Sequence, residues 1–314
     1  MSTLHDAVES YLALRRGLGS ELRDAGIHLR HFLEFLRREG ATAFTTELAL
    51  RWATEPAGVT PATWARRLAD VRRFLAWQST IDPRTEVPPR GLLTERYRRR
   101  PPYIYSDEEV ESIVWEAARL PSPSGLRGRT YSTLFGLLAA TGLRHSEALA
   151  LDRDDVDLRA GVLAVRCAKF GKSRFVPVHD STRKALRQYA RRRDRCLPRP
   201  LSPAFLLSER GTRLTQCTVR YNFVIVSRAV GLRPPGPRRH YGYGPRLHDM
   251  RHRVAVKTLI RWYREGRHVE RELPRLSTYL GHVHVADTYW YLEAVPELLQ
   301  LATERAAIQR EETP

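Results

Sequence analysis

Residues 162–178 read VLAVRCAKFGKSRFVPV, and here the helical spacing seen elsewhere in the chain gives way. Val162 to Arg166 and Arg174 to Val178 are short β-like runs on either side of Lys169 to Ser173, a pattern that predicts a hairpin. Upstream, Ser106-Asp-Glu-Glu109 is a capping-box start for a helix through Ala118. After a Pro/Gly/Ser loop, Tyr131 to Ala140 form an apolar helix that stops at Thr141-Gly142. Downstream, helices are expected at Ser181 to Arg193, Thr215 to Val230, His248 to Tyr263 and Val269 to Tyr279, with Arg233 to Arg246 as a loop. The expected class is therefore mainly α with a small β-hairpin or sheet, an α+β fold.

From His5 to about Gln78 the chain reads as helices alone. Leu4, Val8, Tyr11 and Leu12 make one apolar stripe, Leu29, Phe32, Leu33 and Leu36 a second, and Leu68, Val71, Phe74 and Leu75 a third. Thr60-Pro61 reads as an N-cap with proline at the first helical position, and Gly40 as a stop. Pro83, Pro88, Pro89, Pro101 and Pro102 then surround Arg98-Arg99-Arg100, a stiff basic connection that places a boundary at about residue 100. Two domains are expected: a helical one over 1–100, ending in this linker, and a second over 101–314 that closes with a helical stretch from Pro296 to Ile308.

The 314 residues are 42% apolar, enough for two cores, and no apolar run is of membrane-spanning length. His5, Asp6 and Glu9 do not fit a signal peptide, so a cytoplasmic protein is expected. Cys167, Cys196 and Cys217 are odd in number and form no CxxC pair, which argues for reduced, structural thiols. Fifty-three basic residues against 35 acidic ones leave a net charge of +18, which favours a nucleic-acid partner through release of phosphate counterions. Only Lys169, Lys172, Lys184 and Lys257 are lysines, and two of the four fall in the hairpin turn. A lysine retained in so arginine-rich a chain suggests a position that must release a proton, which arginine does not do.

Five segments of the second domain carry chemistry-bearing residues: Thr141-Gly-Leu-Arg144-His-Ser-Glu147, Lys169-Phe-Gly-Lys172, His248-Asp-Met-Arg251, Leu280-Gly-His282 and Tyr289-Trp-Tyr291. Each alone is weak; His248 and Arg251, three apart, share one helical face. In this order, over about 105 to 305, the set resembles the catalytic domain of the tyrosine recombinases, the phage-integrase family. That family has an arginine in TGLRxSE, a hairpin lysine, an HxxR pair, a histidine in LGH and a tyrosine nine residues beyond it. The N-terminal helices are similar in size and position to the family's core-binding domain.

The resemblance implies a site-specific DNA recombinase of the integrase or transposase type, nucleoid-associated, that works without ATP or metal. It assigns Arg144 and Arg251 to the scissile phosphate, Tyr291 to nucleophilic attack giving a 3′-phosphotyrosyl link, and Lys169 to protonation of the 5′-oxygen. The family hairpin register favours Lys169 over Lys172, and the spacing from His282 favours Tyr291 over Tyr289. His248 is expected to assist proton transfer from the tyrosine with a pKa near neutrality, and His282 to hydrogen-bond the phosphate. Glu147 reads as structural, orienting the Arg144 segment. The implied partners are double-stranded recombination sites, gripped in a C-shaped clamp, and three further copies of the chain around a Holliday junction. Accessory DNA-bending or partner recombinase proteins would complete the set.

Three other readings compete. A type IB topoisomerase shares the chemistry, and two-domain size and the LGH context argue against it. His282-Val-His284 fits a metal-dependent nuclease motif but leaves Arg144, Lys169 and the HxxR pair unexplained. A non-catalytic DNA-binding regulator has no use for a tyrosine and a lysine at these spacings. The C-terminal stretch has two possible berths, its own core or a neighbouring protomer.

Overall fold

The structure is a computed structural model, and it describes residues 4–93, 101–166, 173–236, 244–282 and 284–311. Lys169, Lys172, Cys167 and the Arg98–Arg100 run lie outside the described residues. The chain divides into two compact units, Met1–Arg100 and Pro101–Pro314.

The N-terminal unit consists of α1 (Leu4–Gly17), α2 (Arg23–Arg38), α3 (Thr46–Thr54) and α4 (Pro61–Gln78). Each apolar stripe of the sequence turns inward: Val8 and Leu12, Leu29, Phe32 and Leu36, and Val71, Phe74 and Leu75 are fully buried in one core. Phe74 meets Tyr11 and Phe44 edge to face, a geometry that favours opposite parts of the ring quadrupoles. Helix α3 is only nine residues long and enters this core through Ala49, Trp52 and Ala53. Thr45 caps it, its Oγ1 accepting from the Leu48 N–H at 3.2 Å. Thr60 precedes α4 with Pro61 at the first turn, but its hydroxyl pairs with Thr63 rather than with the helix backbone.

In the second unit, α5 (Asp107–Ala118) starts with the expected capping box: Ser106 Oγ accepts from Glu109 N–H, and the Glu109 carboxylate accepts from Ser106 N–H. The apolar α6 (Leu126–Thr141) runs through the main core, with Leu134, Phe135 and Leu138 buried, and the short α7 (His145–Ala150) follows it. The sheet has three antiparallel strands in order β1 (Val156–Asp157), β2 (Val162–Val165) and β3 (Arg174–Pro177). The predicted hairpin is present, each strand one residue shorter than expected, with Val165 opposite Arg174 where the strands lead into the turn. Strand β1 was not anticipated. Helices α8 (Asp180–Cys196), α9 (Gln216–Ala229), α10 (Leu247–Arg264), α11 (Val269–Leu280), α12 (Ala286–Ala294) and α13 (Pro296–Glu311) complete the unit. The fold is mainly helical with one small sheet, as the sequence implied. Leu298 of α13 is fully buried with Ala255, Leu259, Trp262 and Leu273, so the C-terminal helix packs on its own unit.

Candidate active site

The Thr-Gly-Leu-Arg motif ends one helix and starts another. Gly142 closes α6 at φ 64°, a left-handed conformation open to glycine, and its N–H bonds to Leu138 O. A Cβ here would lie 3.2 Å from Cβ of Val254, so α10 passes close to this turn. Leu143 then anchors in the core, and Arg144 stands at the N-cap of α7, half out of the backbone's hydrogen bonding.

The end of α11 is the meeting point. Gly281, at φ 68°, reverses the chain, and His282 N–H bonds back to Ser277 O, which leaves the last carbonyls of the helix without partners in the helix itself. Three arginines from three distant segments take them. Arg174 Nε donates to Tyr279 O at 2.8 Å, Arg251 Nη2 to Leu280 O at 2.5 Å, and Arg144 Nη2 to Gly281 O at 2.9 Å. Arg251 also donates through Nη1 to Gly142 O at 2.9 Å, tying the two glycine turns together. The helix end contributes partial negative charge where the cations gather.

Glu147 braces the cluster. Its carboxylate accepts from Arg144 Nη1 at 2.7 Å and from both Arg174 Nη1 at 3.1 Å and Nη2 at 2.8 Å. Burial alone would push this carboxyl up, but the guanidiniums of Arg174 and Arg144 hold it below the usual carboxylate range. The structural role expected for Glu147 thus includes a second arginine. Three cations against one carboxylate leave two positive charges in excess, and at Arg251 the effect is visible. Burial, followed by repulsion from Arg144, lowers its pKa to about 10, so it remains a cation at neutral pH under strain that an anion would relieve.

Tyr291 lies beside this cluster, 2% exposed, and its ring is inclined at 23° to that of His282 with centroids 6.3 Å apart. His282 Nδ1 pairs with Thr288 Oγ1 at 2.8 Å. Tyr289, the competing phenol, is 44% exposed. The structure therefore brings Arg144, Arg251, His282 and Tyr291 together, and places His248 on α10 one turn from them. One expectation is corrected. His248 was expected to titrate near neutrality, but burial, then the nearby Arg251 cation, lowers its pKa to about 4, and the same two causes lower His282 to about 4. Both rings are thus neutral at pH 7. The imidazole that bonds to the Tyr291 hydroxyl is His252, with Nδ1 3.0 Å from Oη, a residue the sequence reading did not single out. Arg174 was missed as well; in a chain with so many arginines nothing marked it, except that it begins the strand opposite Val165.

A groove of roughly 840 Å³ between α5, α6 and α8, lined in part by Arg129, Arg192 and Arg195, shares no residue with this cluster. Among the described residues, the chemistry-bearing ones of the five segments lie at the arginine cluster and not in this groove.

Residues 104–297 match the sequence profile of the phage integrase family. The chain belongs to that family. Tyrosine recombinases are DNA strand transferases, and among the family's proteins an integrase/recombinase named y4rB from Sinorhizobium fredii (strain NBRC 101917 / NGR234) is 47% identical over 309 residues, covering 97% of both chains. A tyrosine recombinase XerC from Mycobacterium sp. (strain JLS) is 31% identical, covering 98% of this chain and 99% of its own. The fold is that of a lambda integrase solved as a tetramer bound to a Holliday junction, with a TM-score of 0.62 at 17% identity over 90% of this chain and 78% of that one. It is likewise that of the Tn1549 transposon integrase in complex with transposon right end DNA, with a TM-score of 0.62 at 16% identity over 97% and 99% of the two chains. Among the described residues no helix is long and apolar enough to cross a membrane.

Proposed function

We propose that this phage integrase family member cuts and rejoins DNA strands with Tyr291 as nucleophile and Arg144 and Arg251 as the clamp on the scissile phosphate. The observation that carries the reading is that both arginines are anchored to neighbouring carbonyls, Leu280 O and Gly281 O, beside a buried Tyr291. Two guanidiniums fixed in this way neutralise the phosphodiester, which would otherwise repel a phenolate, and they gain strength as the phosphorus takes on its fifth ligand. The two surplus positive charges of the cluster suit a dianionic transition state. Tyr291 Oη bonds to phosphorus, the 5′-oxygen leaves, and the 3′-phosphotyrosyl link keeps the bond energy for rejoining.

The leaving oxygen needs a proton. Lys169 is the donor by resemblance and by the rarity of lysine in this chain. His282, neutral and held at Nδ1 by Thr288, has its other nitrogen available to donate to a phosphate oxygen, and His248 stands as a second neutral imidazole at the cluster's edge. No step in this scheme calls for a metal or a nucleotide. The N-terminal unit over 1–100 would grip the duplex and four protomers would exchange strands on paired sites. The tetrameric lambda integrase on a Holliday junction supports that assembly by analogy of fold.

The test is trapping on a nicked duplex that carries the recombination site. The wild-type protein forms a 3′-linked covalent adduct in the presence of EDTA, and Tyr291→Phe forms none while still binding. Adduct formation by Tyr291→Phe would move the nucleophile elsewhere. A wild-type chain that binds its site but never couples to it would leave a regulator, and relaxation of supercoils without strand exchange would indicate a topoisomerase.

A further inference from the structure

The Tyr291 hydroxyl faces a base that the scheme above leaves idle. Its oxygen lies 3.0 Å from Nδ1 of His252, and both side chains are buried, at 2% and 7% exposure. A phenol holds its proton at neutral pH, with a reference pKa of about 10, so attack on phosphorus needs a group that takes the proton as the O–P bond forms. Geometry comes first in choosing that group, and Nδ1 of His252 is within transfer distance.

The ring's surroundings set its tautomer. Nε2 of His252 lies 4.0 Å from Asp249 Oδ1, and Asp249, itself 2% exposed, is held by the backbone N–H of Arg246 at 2.7 Å and by Arg246 Nη2 at 2.8 Å. A fixed carboxylate on that side favours the proton on Nε2, which leaves the Nδ1 lone pair directed at the phenol. His248 packs edge-on against the ring at 4.7 Å, and Trp290 lies 5.5 Å away on the other element, so the imidazole has little freedom to turn. Position along the helix adds to this. Arg251 and His252 are consecutive on α10, and their different directions bring one to the phosphate clamp and the other to the nucleophile.

We infer that His252 is the proton acceptor for Tyr291, an inference that rests on the reading of Tyr291 as nucleophile. In the cleavage step the Oη–H bond breaks and its proton passes to Nδ1 of His252. The Oη electron pair forms the bond to phosphorus, the bond from phosphorus to the 5′-oxygen breaks, and that oxygen receives its proton from the general acid. Rejoining runs the same path backward: the 5′-hydroxyl attacks, the phenolate leaves, and His252 returns the proton. Asp249 is a positioning residue that steadies the imidazolium between the two steps.

The decisive variant is His252→Asn, whose amide occupies the place of Nδ1 and keeps a hydrogen bond to the phenol but does not accept a proton. Single-turnover adduct formation is measured on the nicked duplex, with binding to the same duplex as the control for folding. The expected result is unchanged binding with a loss of at least ~100-fold in rate, the scale of general base catalysis. Replacement of Tyr291 by a trifluorinated tyrosine, whose phenol ionises near neutral pH, should then recover most of that loss. If His252→Asn cuts within threefold of the wild-type rate, or if the acidic phenol restores nothing, His252 is only packing and the inference is overturned. If His252→Asn does not fold, His252→Gln, whose amide instead overlays Nε2, removes the base and is read by the same recovery with the acidic phenol. A wild-type protein that forms no adduct fails at Tyr291 itself, a result read before any His252 variant is made.

Discussion

Arginine does different work in the two units. In the N-terminal helices, Arg30, Arg38, Arg51 and Arg66 are each more than half exposed and each meets one carboxylate on the surface. In the second unit Arg144, Arg174 and Arg251 are 21%, 11% and 2% exposed, and each is anchored to a main-chain carbonyl at the end of α11. The same side chain is thus a solvated, salt-screened charge in one place and a fixed, desolvated donor in the other. Net charge favours a polyanion in general; on the proposed function, the anchored arginines are the ones that would hold one phosphorus in a defined position.

The largest effect should come from removing a donor at the centre of the anchored set. Arg251→Ala is expected to lower single-turnover cleavage by about a thousandfold, the upper range for loss of one transition-state donor, with duplex binding little changed. A loss below tenfold would place Arg251 outside the chemistry. An intermediate effect tests the brace. Glu147→Gln keeps the shape but frees Arg144 and Arg174 from their shared carboxylate, and cleavage should fall roughly tenfold to a hundredfold, with a lower melting temperature because a buried ion cluster loses its bracing anion. Equal activity in this variant would show that the carbonyls alone hold the arginines. The smallest effect belongs to the other class. Arg66→Ala, which breaks the exposed pair with Asp24, should change stability by under about 1 kcal/mol in thermal unfolding and leave the cleavage rate of bound complex unaltered. At most it should reduce the salt dependence of DNA binding by about one unit of slope.

Much of this contrast was legible in the sequence. Amphipathic spacing located the long helices, because an apolar stripe has only one place to go in a water-soluble fold. The order of the five segments singled out Arg144, Arg251, His282 and Tyr291, which the fold brings close together. Short elements escaped: α7 has six residues and β1 two, too few for any period to show. Arg174 escaped because one arginine among so many carries no signal until its partners Glu147 and Tyr279 O are seen. His252 was hidden by its neighbour, since an HxxR pair explains its own turn of helix and leaves the next residue looking like filler. The lowered pKa of His248 follows from burial and from the approach of Arg251, both properties of packing. The hairpin turn with Lys169 and Lys172 lies outside the described residues, so sequence remains the ground for that assignment.

The carbonyls of Tyr279, Leu280 and Gly281 have a consequence for how the protein comes into being. Their three donors are contributed by positions 144, 174 and 251, so the cluster exists only once those stretches have been synthesised and have come to rest on the same helix end. On the proposed function, a chain in which that packing fails keeps its net positive charge but lacks the arrangement that would cut DNA. Cleavage would then depend on completed folding, through carbonyls that no side-chain substitution removes.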